Sequence, residues 1–286
     1  MKKRAYYSVR TGKNPQSLEL DLSVLLRLFG PLYQSFVNKG YFQEAFGYYC
    51  VDAGDISGIL GSDIEACILR LLRKSNLWPI ENYLTSYRED DLFDIIEFLY
   101  DHISKPVESE GYYHGYSDCG WHYNKFDQVA GRQEYCEEIN GLLSDYQGGY
   151  ELSNDGEILA LAESGLETLL QASIPEYDQD NITVRIEAAK LKFRRYRSSM
   201  DDRRDAIRDL ADVLEFLRPK LKTVMDSKDE GDLFNIANNF GIRHHREGQK
   251  TNYDKNIWYS WMFYFFLSTI HVGLRLIKRS EEAKPR

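Results

Sequence analysis

The chain of 286 residues contains little cysteine and no apolar leader. Its four cysteines are too few, in a chain of this length, to form a disulfide framework. The chain begins with the basic run Met-Lys-Lys-Arg, but Ala-Tyr-Tyr-Ser-Val-Arg follows where a signal peptide would have an apolar stretch. The sequence therefore predicts a cytoplasmic protein whose thiols are reduced.

The motifs of several large enzyme classes are also missing. The sequence has no Walker motif, dinucleotide-binding fingerprint, HExxH segment or G-x-S-x-G segment. It has no internal repeat and no low-complexity tract. Function must therefore be argued from individual residues.

Hydrophobic residues make up 43% of the chain, which is typical of a globular protein and argues against disorder. Aromatic residues reach 14%, with 21 Tyr and 14 Phe. This density is typical of thick helix–helix packing, although surfaces that stack on nucleic-acid bases use the same side chains. The aromatic content leaves both interpretations open.

The net charge of −9 is distributed unevenly. Residues 181–286 carry 22 Lys and Arg against 15 Asp and Glu, a net charge of +7, which leaves −16 on residues 1–180. Such asymmetry indicates two parts, of which the basic one is the better candidate to bind a polyanion such as RNA. The alternative is that an acidic domain docks on a basic one.

The spacing of apolar residues predicts a mainly α protein. Apolar residues recur every three or four positions along most of the chain, and Asn154-Asp155-Gly156 lies between alternating segments, as in a β-hairpin. We expect an acidic, mostly helical N-terminal domain at residues 1–175, with the hairpin at about 149–159, and a basic helical bundle at residues 181–286. The predicted helices cover 17–37, 41–49, 64–74, 92–103, 126–146, 158–172, 182–197, 201–219, 229–240 and 256–278, with a loop at 107–125.

The last predicted helix contains an uncharged run of 18 residues, Ile257 to Leu274. This length is at the lower limit for a membrane span, but the run contains Ser260, Ser268, Thr269 and His271. A helix that is apolar on all sides is also typical of a buried bundle helix or a dimer interface. We therefore expect a core or interface helix and no membrane partner.

The turn before this helix is rich in Asn, Arg and His. Imidazoles that titrate near neutral pH can move protons to and from a ribose hydroxyl and a leaving oxygen. Arginine can hold a phosphate through two parallel hydrogen bonds and offset charge in the transition state. The alternative is that the asparagines cap a helix and the histidines are simply exposed. The predicted catalytic residues are His245, His244, Arg243, Asn238 and Asn239.

A four-helix bundle with such a turn before its last helix resembles the HEPN superfamily, many members of which are ribonucleases of toxin–antitoxin, CRISPR-associated and abortive-infection systems. The family motif is Arg, a polar residue, then His after four to six intervening residues. Here Asn238 and His245 are separated by six residues, Asn239 is the polar residue, and Asn238 stands where the family has Arg. The segment from Arg203 to Leu217 also resembles the second helix of HEPN-like domains.

The resemblance covers residues 181–286 and implies an RNA-binding effector or ribonuclease of bacterial stress or phage defence. It implies cleavage without a metal or other cofactor, and a homodimer through the C-terminal bundle. The basic residues expected to contact RNA are Arg246, Lys250, Arg194, Arg195 and Arg197. Because Asn238 replaces the family's Arg, either Arg243 supplies the charge from a shifted position or the domain binds without cutting. The competing hypothesis is a non-catalytic helical adaptor that binds a protein partner.

A second group of residues has the chemistry of zinc ligands. Cys119-Gly-Trp-His122 has the two-residue gap common in zinc sites, and His114 and Cys136 would complete a set of four. The overall spacing matches no familiar zinc module, and Cys136 falls in a predicted helix. We therefore expect no stoichiometric metal at these residues. A recognition domain stabilised by zinc is a third hypothesis for the function of the chain.

Overall fold

The computed structural model describes residues 6–13, 20–163, 165–240, 242 and 252–283, except the side chains of residues 118, 237 and 238. The chain divides into two compact units, Met1–Ala160 and Leu161–Arg286. The fold is mainly α with small two-stranded sheets, as predicted.

The three longest helices of the first unit carry apolar residues every three or four positions. Asp21 caps the first of these by accepting a hydrogen bond from the Val24 backbone at 2.8 Å. Asp127 caps the third in the same way, through the Ala130 backbone at 3.0 Å. In chain order the helices are α1 Tyr7–Arg10, α2 Leu22–Asn38, α3 Gln43–Phe46, α4 Ile64–Leu72, α5 Ile80–Tyr83, α6 Glu89–His102 and α7 Gln128–Leu143.

The strands of the first unit are two to four residues long and pair into antiparallel two-stranded ribbons, β1 with β2, β3 with β6, β4 with β5 and β7 with β8. The β7–β8 pair is the hairpin predicted at about 149–159. The strands are β1 Tyr48–Cys50, β2 Gly54–Ile56, β3 Lys105–Pro106, β4 Gly111–His114, β5 Gly120–Tyr123, β6 Phe126–Asp127, β7 Tyr150–Leu152 and β8 Ile158–Ala160.

The core of the first unit is rich in aromatic rings from α2, α6 and α7. Phe36 of α2 packs edge-on against Tyr135 of α7, with ring centroids 5.5 Å apart. The Tyr135 side chain is fully buried, and its hydroxyl donates to the Ile96 carbonyl of α6 at 3.3 Å. This bond satisfies the polar end of a large buried ring, so the three helices are joined by both packing and hydrogen bonding.

The second unit is a helical bundle. Its helices are α8 Glu167–Gln171, α9 Val184–Arg194, α10 Met200–Leu221, α11 Ser227–Asn239 and α12 Lys255–Glu282. Along α10, apolar residues at helical spacing form a continuous buried stripe, as the sequence predicts. Ser199 caps α10, with the Asp202 backbone donating to its hydroxyl and its own backbone donating to the Asp202 carboxylate. The sequence analysis placed this helix start two residues later.

Helices α9 to α12 alternate in direction. Lys220 at the C-terminal end of α10 bonds Glu281 at the C-terminal end of α12 at 2.8 Å, so these two helices run the same way. Arg218 near the end of α10 binds Glu230 near the start of α11, so α11 runs the opposite way. The five-residue turn after α9 reverses the chain into α10. The bundle is therefore up-down-up-down, and every second turn lies at the same end.

The division into units falls after Ala160, whereas the sequence analysis ended the first domain at 175 and began the second at 181. Residues between these positions pack on the core of the bundle. Leu170 of α8 is buried there, and Leu166, Leu169 and Ile174 lie against it. Their apolar side chains explain the placement of this segment in the second unit.

Three secondary-structure predictions are wrong. The predicted helix at 41–49 is helical only at Gln43–Phe46 and is followed by strand β1. The predicted loop at 107–125 contains the β4–β5 hairpin. Its strands do not alternate between apolar and polar residues, because aromatic residues occupy both faces. The predicted helix at 158–172 starts instead with β8, and only residues 167–171 are helical. There, pairing of Ile158 with Leu152 overrides local helix propensity.

Helix α12 has the length and composition to cross a membrane, but 56% of its most apolar stretch is buried inside the structure. Phe263, Phe266 and Ile270 are at most 1% exposed. This packing is that of a core helix, as predicted. Its opposite side is exposed and also apolar, and includes Trp258 and Trp261.

We expect Phe263→Ala to destabilise the bundle by about 3–5 kcal/mol, because it removes a fully buried ring that stacks on Phe193 at 4.0 Å. Phe216→Ala is the matched control, since this ring on α10 is 49% exposed. Chemical denaturation of the full chain followed by circular dichroism measures both. Equal losses in the two variants would contradict the assignment of Phe263 to the core.

Candidate functional site

The candidate site lies at the end of the bundle where α9 and α11 finish and α10 and α12 begin. Residues 195–199 join α9 to α10 at this end, and residues 240, 242 and 252–254, the described parts of the segment between α11 and α12, lie here too. The segment between α11 and α12 contains most of the residues that the sequence analysis selected. The alternating helix directions therefore bring the described ends of the predicted catalytic turn and the basic end of α9 to the same end of the bundle.

The turn begins and ends on one aromatic cluster. The Tyr253 hydroxyl donates to the Phe240 carbonyl at 2.7 Å, and the Phe240 ring stacks on Trp258 with centroids 5.3 Å apart. Burial raises the pKa of Tyr253 to about 12, so its hydroxyl remains a donor at neutral pH. These contacts hold residues 240 and 253 together at the start of α12.

Of the predicted catalytic residues, Asn239 is exposed at the last position of α11, and Asn238 precedes it in the helix. The Asn238 side chain lies outside the described residues. So do Arg243, His244, His245, Arg246 and Lys250. The structure accordingly locates the two ends of the predicted turn and leaves its chemistry as a prediction.

The predicted RNA-binding arginines lie where α9 ends. Arg194 lies close to Tyr264 of α12. Burial raises the pKa of Tyr264, and the positive charge of Arg194 opposes this increase. The Arg197 guanidinium lies over the Tyr196 ring at 5.1 Å. Arg195 is near Asp202, whose pKa is lowered mainly by hydrogen bonds from Ser199 and further by this charge. Acidic residues at the start of α10 thus offset part of the positive charge.

A cleft of about 670 Å³ opens at this end of the bundle, between the segment around α8 and the first half of α12. Arg203 of α10 lines it, with its guanidinium 5.5 Å from the Phe193 ring, and its Nε is buried without a hydrogen-bond partner among the described residues. Glu163 lines the cleft too and accepts a hydrogen bond from Ser260. The cleft therefore carries one arginine and one carboxylate on a lining that is otherwise mostly apolar.

An aromatic row on α12 borders the cleft. Trp258 packs edge-on against Trp261 at 5.5 Å, and Trp261 stacks on Phe265 at 5.1 Å. Trp258 and Trp261 are 37% and 42% exposed. The uncharged run Ile257 to Leu274 predicts a core or interface helix and does not distinguish these exposed rings from the buried ones. Arg203 is not among the residues predicted to bind RNA, although the number of cations near the start of α10 was a usable signal.

The first unit holds a second group of reactive side chains. Ligand atoms of Cys50, His114, Cys119 and His122 all lie within 4.8 Å of one another. Cys50 ends β1, His114 ends β4, and Cys119 and His122 come from the turn and strand that follow. Two separate hairpins, β1–β2 and β4–β5, therefore supply the group.

This group differs from the four residues considered in the sequence. Cys136 belongs to α7, where its sulfur lies 3.7 Å from the Ser153 carbonyl, and burial raises the pKa of its thiol to about 11. Cys50 takes its place. No sequence pattern links Cys50 to the others, because 63 residues separate it from His114.

The environment of the group favours ligand chemistry. Burial and the neighbouring His114 lower the pKa of His122, which keeps its imidazole neutral. The backbone N–H groups of Asp52 and Ala53 donate to the Cys50 sulfur and lower the pKa of that thiol. Neutral imidazole and thiolate are the forms in which these side chains bind metal ions.

Comparison of the chain with family models, curated proteins and solved structures finds no match.

Proposed function

We propose that the turn-bearing end of the C-terminal bundle binds RNA and that the turn at 238–246 cleaves it. The observation that carries this proposal is the convergence of Arg194, Arg203 and the exposed tryptophans at the end of the bundle that bears the turn. The HEPN-like pattern of the turn adds the expectation of cleavage.

The two exposed rings and the nearby cations match the chemistry of single-stranded RNA. An unpaired base stacking on an aromatic side chain contributes about 1–3 kcal/mol of binding free energy. Trp258 and Trp261 present such faces without first having to be exposed. Arg203 lines the same cleft, where its guanidinium can bond a phosphate oxygen.

Cleavage would follow from proton transfer by the turn histidines. One imidazole removes the proton of the ribose 2′-hydroxyl, and the oxygen attacks the adjacent phosphorus. The other imidazole protonates the departing 5′-oxygen, which leaves a 2′,3′-cyclic phosphate and a 5′-hydroxyl end. Arg243 offsets the negative charge on phosphorus during this exchange. No metal takes part in these steps.

A second candidate function is a protein-interaction module that does not cut RNA. The exposed side of α12 favours it, because Val272 is 57% exposed and lines a groove of about 380 Å³ with Leu233 and Ile236 of α11. An exposed apolar groove of this kind is suited to a second copy of the chain or to a partner helix. Asn238, in place of the family's Arg, also favours this candidate.

We expect Trp261→Ala and Arg203→Ala each to weaken binding of a single-stranded oligoribonucleotide by about tenfold, because each removes one contact of about 1–3 kcal/mol. Phe216→Ala and Arg185→Ala are the matched controls, since both residues are exposed and lie toward the opposite end of the bundle. Fluorescence anisotropy at two salt concentrations measures the affinities. Equal losses in test and control variants would reject the cleft as the binding site.

We expect His245→Ala to reduce RNA cleavage by about 10²–10⁴-fold, as loss of a general acid–base group does. Arg243→Ala should also weaken cleavage, and Arg243→Lys should restore only part of it, because lysine lacks the planar fork. Asn238→Arg rebuilds the family motif and should increase cleavage. Product ends are read by mass spectrometry in buffer without added divalent ions. Intact RNA with both wild type and Asn238→Arg would leave the adaptor function as the better proposal.

We expect the chain to be a homodimer through α12, with a mass about twice the 33.4 kDa of one chain. Val272→Asp should give a monomer, because it places a charge in the apolar groove. Val129→Asp is the control, since Val129 is 78% exposed on α7 of the first unit. Light scattering after gel filtration measures the mass, and a wild-type monomer at micromolar concentration would contradict the expectation.

A further inference from the structure

We propose that Cys50, His114, Cys119 and His122 form a structural zinc site that joins hairpin β1–β2 to hairpin β4–β5. The proposal is independent of the RNA function, because all four residues belong to the first unit. It replaces the sequence-based expectation of no metal, which rested on the spacing of a set that included Cys136.

The distances between the donor atoms fit a tetrahedral zinc ion. Zinc lies about 2.3 Å from sulfur and about 2.0–2.1 Å from nitrogen, so sulfur and nitrogen ligands of one ion are about 3.5 Å apart. The Cys119 sulfur lies 3.2 Å from Nε2 of His122, and the Cys50 sulfur lies 3.7 Å from Nδ1 of His114. Both pairs are close to the edge length of the tetrahedron.

His114 has the outer partner that a zinc-bound histidine needs. Its Nε2 lies 3.2 Å from the Asp52 carboxylate, while its Nδ1 faces the sulfur of Cys50. A carboxylate on the far nitrogen fixes the tautomer in which the near nitrogen is free to bind metal. Asp52 belongs to the same turn as Cys50, so one short turn supplies both a ligand and an orienting group.

His122 is buried in a way that a metal would explain. Its side chain is 1% exposed, and Nδ1 has no hydrogen-bond partner among the described residues. Tyr48 stacks on the ring at 4.3 Å, and Tyr112 packs on it at 5.2 Å. The nitrogen that faces the group is Nε2, 3.2 Å from the Cys119 sulfur, and a metal ion bound there would anchor this buried imidazole.

The donor set selects zinc and a structural role. Two thiolates and two imidazoles form a closed tetrahedral shell, which leaves no position for a substrate or a catalytic water. Hairpins of three or four residues per strand are marginal alone, so an ion held by both would stabilise this part of the unit. The competing chemistry is a disulfide between Cys50 and Cys119.

The first test is the metal content of the full chain, purified without a histidine tag under reducing conditions. We expect about one zinc per chain by elemental analysis, and loss of most of it in Cys119→Ser and His122→Ala. Cys136→Ser and Cys67→Ser are the matched controls and should retain zinc, because neither residue belongs to the group. Undiminished zinc in Cys119→Ser, or loss of zinc in Cys136→Ser, would overturn the proposal.

A second test uses the wild-type chain and so does not depend on variants that fold poorly. Zinc should protect Cys50 and Cys119 from alkylation while Cys67 reacts, and a strong chelator should expose them. Cobalt added after zinc removal should give the visible absorption of a tetrahedral thiolate site, and Asp52→Ala should weaken cobalt binding about 10–100-fold. No cobalt binding, or a Cys50–Cys119 disulfide in the reduced preparation, would refute the site.

Discussion

The candidate RNA site depends on the packing of α12 along α10. These helices run in the same direction, so the short α9 and α11 run the opposite way, and the C-terminal ends of α9 and α11 lie at one end of the bundle. The Phe193 ring of α9 stacks face to face on the Phe263 ring of α12, and this contact fixes the position of α9 against α12. That contact positions Arg194 of α9 relative to the exposed tryptophans, while the packing of α10 on α12 positions Arg203.

The same helix explains why binding and self-association are competing interpretations. Its inner face is buried, while its outer face carries tryptophans toward one end and Val272 toward the other. Aromatic rings beside arginines suit RNA bases, whereas an apolar groove beside α11 suits a protein helix. The two surfaces adjoin along α12, because Phe265 and Ser268 line both, so a partner in the groove would lie next to the cleft beside Arg203.

The sequence predicted the parts of the fold that depend on residues close together in the chain. The buried stripe of α10 and the core face of α12 follow from apolar spacing, and the β7–β8 hairpin follows from Asn154-Asp155-Gly156. The β4–β5 hairpin was missed because aromatic residues occupy both faces and erase the alternation. The Cys50 contribution could not be found, since it depends on contacts between hairpins far apart in the chain. Likewise, spacing alone cannot separate Trp261 on the exposed side of α12 from Phe263 on the buried side.

The two proposals together change how metal dependence should be interpreted. A ribonuclease that works through imidazole and guanidinium does not use a metal in catalysis, yet a structural zinc in the first unit would make the chain sensitive to chelators. Loss of cleavage after chelation would therefore not identify a catalytic metal. The two causes differ in kinetics and reversal. If the lost metal were catalytic, adding a divalent ion to the folded protein should restore cleavage. If the lost metal were the structural zinc, recovery of cleavage should require refolding of the β1–β2 and β4–β5 hairpins. That recovery should follow the return of protection of Cys50 and Cys119 from alkylation. Measuring alkylation and cleavage on the same sample separates an effect on the fold from an effect on the reaction.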